Sequence, residues 1–239
     1  MKFEDLLSDI MCFGGFKNLK EAQDKCVEVE KEVRDIKKDI SVEELNERYS
    51  NLHYFNLGVV PDRYSYCTIK NYAVTMFALY AGCNNILDFG CGVGNTSVVL
   101  AENKMKVTSV DLEGNTLDFL RYRNERHNLN LNIVPLYKFN WNEQYDAIVC
   151  FDVLEHLEKP SDTIDKLTKM LKPQGVLFIT NEFSGTEIEP EHIASSEEAS
   201  EVMTYLVTNF DLIRAIRLPN DRLHILPNYP SIYVKRLKE

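Results

Sequence analysis

Glu155 and His156 stand side by side in the stretch FDVLEHLE, Asp152 precedes them by three and four positions, and His192 follows in EPEHIA. A histidine titrates close to neutrality, so it can take a proton from a hydroxyl or an ammonium group without prior tuning. If the stretch is helical or turn-like, Asp152, Glu155 and His156 share one side. Two carboxylates and two imidazoles then also suit a divalent ion such as Mg, Mn, Fe or Zn. We read Glu155, His156 and His192 as acid–base candidates and assign no resident metal; for His156 the alternative is a histidine that merely holds its loop.

A second constellation lies upstream, in NILDFGCGVGNTSVVLA. An apolar strand runs into Gly90, Gly92 and Gly94 and then into an apolar helical pattern, a strand–turn–helix start. Glycines at this spacing permit positive φ and leave no Cβ in the way of a ligand lying across the turn. Asp111 follows Gly90 by 21 positions, close to the ~20-residue spacing at which an acid ending the second strand reaches a ribose hydroxyl. A nicotinamide or flavin dehydrogenase would need GxGxxG, but here that third position falls on Asn95.

The elements that must carry these residues can be traced from the pattern. Ile86 to Phe89 reads as a first strand, MKVTSVD as a second, LNIVPLYKF as a third and Ala147 to Phe151 as a buried fourth. Asp152 to His156 falls at the carboxyl end of that fourth strand, where open α/β sheets bind ligands. TLDFLRYRNERHN reads as a helix. A further helix runs over SDTIDKLTKMLK, with Ser161 as its expected cap and Pro173-Gln174-Gly175 as its stop, before a fifth strand, VLFIT. Two late strands, DLIRAIRL and SIYVKRL, suggest an antiparallel hairpin at the sheet edge.

Ahead of the glycine loop, Val29, Val33, Ile36 and Ile40 give one apolar stripe on a charged helix, packed on the main domain or serving as a lid or homodimer contact. Ser41 and Glu44 form a capping box. A turn over 59–63 separates the next helix, TIKNYAVTMFALYAG, from an aromatic-rich segment. Tyr49, Tyr54, Tyr64 and Tyr66 are candidates to wall a pocket, against ordinary core packing. The expected division is a helical cover over 1–80 and one α/β domain over 81–239.

Composition narrows the partners. At 239 residues, 44% of them hydrophobic, the chain suffices for one sizeable core with an appended segment. The net charge of −10 argues against a partner held through phosphates, which relies on Lys and Arg. No Lys or Arg occurs between Gly175 and Ile213, where Glu182, Glu187, Glu189, Glu191, Glu197, Glu198, Glu201 and Asp211 accumulate; most of these read as a solvated loop. Six cysteines without a CxxC pair read as reduced residues of a cytoplasmic protein. No apolar run approaches the ~18 residues that span a bilayer.

ILDFGCGVGN, VTSVD, YDAIVCFDVLEHLEKP and LTKMLKPQGVLFIT, in that order over roughly residues 85 to 181, resemble the motifs of the class I S-adenosylmethionine-dependent methyltransferases. The resemblance implies a three-layer, Rossmann-like fold with a seven-stranded, mostly parallel sheet and an antiparallel last strand. It implies that S-adenosyl-L-methionine is the cofactor, held by Asp88, Phe89, Gly90, Cys91, Gly92, Asn95, Asp111, Leu112 and Asp152. Asp111 would accept from the ribose hydroxyls and Leu112 would pack on adenine. Family members often place an acid after the third strand; this chain has Leu136 to Asn140 there, so Asn140 or a backbone carbonyl would replace it. The implied reaction is methyl transfer to O, N or C of a small-molecule acceptor, with His156, Glu155 and His192 on the acceptor side. The Asp152, Glu155, His156 and His192 set is also similar to metal-dependent methyltransferases acting on RNA 3′ ends. It departs from them in having Asp152 for a glutamate, in lacking a later histidine-rich segment, and in its acidity. A non-catalytic cofactor-binding module is the remaining alternative.

Overall fold

A computed structural model describes residues 3–34, 41–58, 61–180, 183, 191–215 and 231–236, with the side chains of 3–4, 26, 29–34, 51–69 and 214–215 outside that description. The stripe residues Val29, Val33, Ile36 and Ile40, the side chains of Tyr54, Tyr64 and Tyr66, and residues Glu182, Glu187 and Glu189 therefore lie outside the described parts.

Four helices come first, α1 (Phe3–Phe13), α2 (Leu19–Arg34), α3 (Val42–Gly58) and α4 (Pro61–Tyr80). The alternating part follows as β1 (Asn85–Phe89), α5 (Asn95–Glu102), β2 (Lys106–Asp111), α6 (Asn115–Arg126), β3 (Leu131–Pro135), β4 (Tyr145–Phe151), α7 (Pro160–Lys169) and β5 (Leu171–Thr180). It closes with α8 (Ser196–Asn209), β6 (Phe210–Ala215) and β7 (Ser231–Lys235). The strands form one seven-stranded sheet in the order β3-β2-β1-β4-β5-β7-β6. β1 pairs parallel with β4, β4 with β5 and β2 with β3, whereas β7 runs antiparallel to both β5 and β6. The expected α/β, Rossmann-like sheet with its antiparallel last strand is thus observed.

The chain divides into two compact units, Met1–Thr75 with Cys91–Phe139, and Met76–Gly90 with Asn140–Glu239. In the first, α3 and α1 pack on α6. Leu6, Ile10 and Leu45 from the N-terminal helices and Leu117, Phe119 and Leu120 from α6 are fully or almost fully buried. Each such side chain contributes about 1.5–3 kcal/mol of burial free energy. In the second unit, Ala147, Ile148, Val149 and Cys150 have no exposed surface, which is why β4 reads as a continuous apolar run and not as an alternation. α7 packs against β5 and α8.

Four local expectations need correction. Ser161 does not cap α7: that helix begins at Pro160, whose fixed φ suits a first helical position. Ser161 instead donates through N and Oγ to Glu198 Oε2, at 3.2 and 2.6 Å, so an α8 carboxylate covers the α7 N-terminus. α8 itself replaces part of the expected acidic loop. Its signal was in the sequence, because Ser195 Oγ accepts from Glu198 N as an N-cap. β3 stops at Pro135 and gives way to a short 3₁₀ turn over Leu136–Lys138, and α4 starts at Pro61, earlier than the apolar pattern suggested. The Ser41 cap is as expected, with Glu44 N donating to Ser41 Oγ at 3.1 Å.

Candidate active site

In the first unit the loop after β1 is organised by backbone. Cys91 N donates to Val110 O at 3.0 Å, drawing the loop onto the end of β2. Asp111 then turns its carboxylate onto two amides: Oδ2 accepts from Gly92 N at 2.6 Å and Oδ1 from Leu112 N at 2.7 Å. Each oxygen retains lone-pair capacity for a further donor. Burial raises the Asp111 pKa, opposed by the Gly92 and Leu112 amides.

The three glycines do different work. All have positive φ, 68° at Gly90, 53° at Gly92 and 75° at Gly94. A Cβ on Gly94 would lie 2.2 Å from Leu120 Cδ1, and one on Gly90 2.2 Å from Val153 Cγ2, so a side chain at either has to displace a neighbour. A Cβ on Gly92 would meet nothing within 4 Å among the described residues. Only Gly92 therefore faces open space, beside the amide that holds Asp111.

A buried arginine that sequence reading missed supports this loop. Arg123 of α6 is fully buried; its Nη1 donates to Val93 O and to Asn95 Oδ1, the latter at 3.0 Å. Its Nε lies 3.5 Å from the buried carboxylate of Asp9 in α1, which His127 Nε2 and Arg126 Nε also approach, at 2.8 and 3.2 Å. The Asn95 side chain, expected at the cofactor, is thus engaged with Arg123. Only tertiary packing of α1 on α6 reveals this; nothing in the spacing of RYRNER marks one arginine as interior.

In the second unit, Asp88 is 3% exposed in β1, and Phe89, expected at the cofactor, packs its ring 5.6 Å from that of Trp141. Asn140 Oδ1 accepts from Asn142 N at 3.1 Å, a local turn bond. Asp152 is exposed and holds φ of 53°, a left-handed conformation uncommon outside glycine and of the kind that clusters at functional sites. Thr180 at the end of β5 fixes it. Thr180 Oγ1 donates to Asp152 Oδ1 at 2.7 Å and accepts from Asp152 N at 3.1 Å.

Beyond Asp152, a 3₁₀ turn over Leu154–His156 presents Glu155 and His156. Ala194 N donates to Glu155 O at 3.1 Å, and His156 Nδ1 lies 3.0 Å from Glu191 O, so the 191–194 segment is strapped to this turn. A carbonyl only accepts, hence Nδ1 carries a proton. The strap brings the His192 ring to 4.9 Å from that of His156, nearly perpendicular. Ligand atoms of Glu155, His156 and His192 all lie within 4.8 Å of one another, with Glu155 1% and His192 6% exposed. Asp152 is not part of this trio, because its left-handed backbone precedes the turn instead of continuing it. The buried Cys150 thiol is pushed well above its ordinary pKa by burial first and then by the charges of Glu155, Asp88 and Asp152, so three carboxylates converge at this end of β4.

Comparison with known proteins gives the following. A family model described as a methyltransferase domain matches residues 43–217. The ubiquinone biosynthesis O-methyltransferase of Actinobacillus pleuropneumoniae is 33% identical over 103 residues, covering 40% of this chain and 44% of that protein. The Coxiella burnetii protein of the same name is 34% identical over 101 residues, covering 40% and 42%. The chain thus matches less than half the length of these curated relatives. Among solved structures, the N-methyltransferase NodS from Bradyrhizobium japonicum WM9, in complex with S-adenosyl-L-homocysteine, superposes with a TM-score of 0.61 at 20% identity, covering 81% of this chain and 97% of that one. Magnesium protoporphyrin IX methyltransferase from Synechocystis PCC 6803 with bound S-adenosylmethionine gives 0.53 at 19%, covering 74% and 82%. These two likenesses are of fold.

Proposed function

This chain belongs to the methyltransferase-domain family, and we propose that it moves the methyl group of S-adenosyl-L-methionine onto an O, N or C atom of a small-molecule acceptor. The observation that carries the reading is the Asp111 carboxylate, held by the Gly92 and Leu112 amides beside the one loop glycine that faces open space. Such a carboxylate suits a ribose diol, since it can accept two hydroxyl donors at once. Leu112 would lie against adenine, and the turn at Cys91 and Gly92 with Asp88 would shape the wall beneath the amino-acid end. When bound, the cofactor supplies an electrophilic methyl group on a sulfonium.

The chain's own contribution is then largely positioning, because holding two reactants in line is worth several orders of magnitude in rate. Glu155, His156 and His192 are the groups we assign to the acceptor side, where a hydroxyl or ammonium must lose its proton. Asp152, fixed by Thr180, joins the cofactor-side set. The N-terminal helices are assigned as a cover: Tyr49 O accepts from Thr116 Oγ1 at 3.1 Å, and the Ser50 carbonyl lies 2.6 Å from where a Cβ on Gly114 would stand, only a few residues past Asp111. Relatives named as O-methyltransferases support oxygen as the accepting atom. The net charge of −10 supports a small molecule over a nucleic acid. No described helix is long and apolar enough to cross a membrane; a cytoplasmic location is our reading of the cysteines.

The test is transfer of label from methyl-labelled S-adenosylmethionine into fractionated cell extract. Transfer to a small-molecule fraction, reduced by roughly 100-fold or more in His156→Ala, is expected. Label appearing only in macromolecules, or an unimpaired His156→Ala variant, would overturn the acceptor assignment.

A further inference from the structure

Arg123 of α6 touches two things at once, the buried Asp9 carboxylate of α1 and the loop that holds Asp111. We propose that Asp9 and Arg123 are positioning residues for the cofactor site, which α1 sets through them, so that docking of α1 and binding of the methyl donor are one linked equilibrium. The proposal deepens the Asp111 assignment above and rests on it.

Geometry singles out Arg123 among the groups around Asp9. His127 Nε2 lies 2.8 Å and Arg126 Nε 3.2 Å from that carboxylate, but their side chains are 27% and 34% exposed and can turn to water. Those of Asp9 and Arg123 have no exposed surface. A guanidinium is a rigid planar fork, so with Nε facing Asp9 the direction of Nη1 is fixed, onto Val93 O and Asn95 Oδ1. α1 also reaches Arg123 a second way. The Phe13 ring stands 5.2 Å from that of Phe119, over which the guanidinium lies at 5.6 Å.

What Arg123 holds decides the consequence. Val93 and Asn95 flank Gly94, whose φ of 75° and whose N–H to Cys91 O at 2.9 Å make the turn into α5. Val93 also adjoins Gly92, whose amide binds Asp111. Hydrogen bonds from a charged donor are about twice as strong as neutral ones, and the glycines of this turn prefer no single φ, so the two Arg123 bonds do much to fix it. Lifting α1 away takes Asp9 with it and leaves a buried cation without its carboxylate, which is strongly unfavourable. Arg123 then leaves the loop for solvent, and the Gly92 amide loses its set position beside Asp111. Linkage is reciprocal: a ligand that needs the ordered loop must hold α1 down by the same factor.

The experiment is hydrogen exchange on the full wild-type chain with and without saturating S-adenosyl-L-homocysteine, which needs no variant to fold. Exchange in α1 is expected to slow by roughly tenfold or more on binding, while α8, in the other compact unit, changes little. Asp9→Asn should bind S-adenosyl-L-homocysteine roughly tenfold or more weakly and abolish the slowing in α1. Asp9→Leu combined with Arg123→Met replaces the buried charges by apolar side chains, an exchange that proteins tolerate well. Its denaturant midpoint should recover toward the wild-type value while its affinity stays low. Full recovery of affinity in that double variant would make the pair structural only and overturn the proposal, as would wild-type binding that leaves α1 exchange unchanged or slows α8 equally. In those outcomes the cofactor reading stands. Wild-type protein that does not bind S-adenosyl-L-homocysteine rejects the cofactor reading itself, and the proposal with it.

Discussion

The loop that carries Gly92 and Asp111 and the trio of Glu155, His156 and His192 are built by opposite means. The first is made of backbone: positive φ at three glycines, one amide reaching Val110 O and two amides reaching a single carboxylate, all within a short stretch of chain. The second is made of side chains. His192 lies 36 positions beyond His156, and among the described residues two strap bonds, Ala194 N to Glu155 O and His156 Nδ1 to Glu191 O, tie the two segments together. A backbone site depends on left-handed φ values that side chains rarely adopt, whereas a side-chain site depends on how firmly its second segment is anchored.

Glycine substitution gives the largest expected effect. Gly90→Ala adds left-handed strain of about 1–2 kcal/mol to a collision with Val153, which at about 1–3 kcal/mol for overpacking makes about 2–5 kcal/mol. Val153 is β-branched and has little rotamer freedom to yield. Gly92→Ala adds strain only, because its Cβ would meet open space; it should fold with a loss of about 1–2 kcal/mol and still bind S-adenosyl-L-homocysteine poorly. Denaturant midpoints and calorimetry on the same two variants measure both properties. Equal instability with equal binding would erase the distinction between packing glycine and ligand glycine.

A smaller effect probes the other region. Ser195 caps α8 three residues after His192, and Ser195→Ala should cost about 1 kcal/mol. Hydrogen exchange should quicken in α8 and the 191–194 segment while S-adenosyl-L-homocysteine affinity stays at the wild-type value. A loss of that affinity would mean the two regions are not independently built.

The same contrast explains what could be read from sequence. The strand–glycine–helix start, Asp111 at its spacing, the buried β4 and the antiparallel end of the sheet are local or periodic features, and each was legible. Asp152 illustrates the limit: i, i+3 and i+4 spacing grouped it with Glu155 and His156, but a left-handed φ and the Thr180 hydroxyl pull it out of that group. Arg123 was invisible for a related reason. Nothing in RYRNER distinguishes an arginine buried against Asp9 and Val93 O from its solvated neighbours, since the distinction arises only when α1 packs on α6. α8 was missed although its cap signal was present, because a run of glutamates weighs toward solvent on composition alone.

The central claim is that Asp111 receives the ribose of the methyl donor, and calorimetric titration of S-adenosyl-L-homocysteine across pH tests it most directly. The carboxylate accepts two hydroxyls only when ionised, and burial raises its pKa above the ordinary aspartate value. Affinity should therefore be full above that raised pKa and fall as pH drops through it, before other aspartates titrate. Asp111→Asn should bind more weakly at neutral pH by about 1.5–3 kcal/mol, roughly 10- to 150-fold, with a flat pH profile. Wild-type protein that does not bind, or a variant that binds equally well with the same pH dependence, would contradict the account.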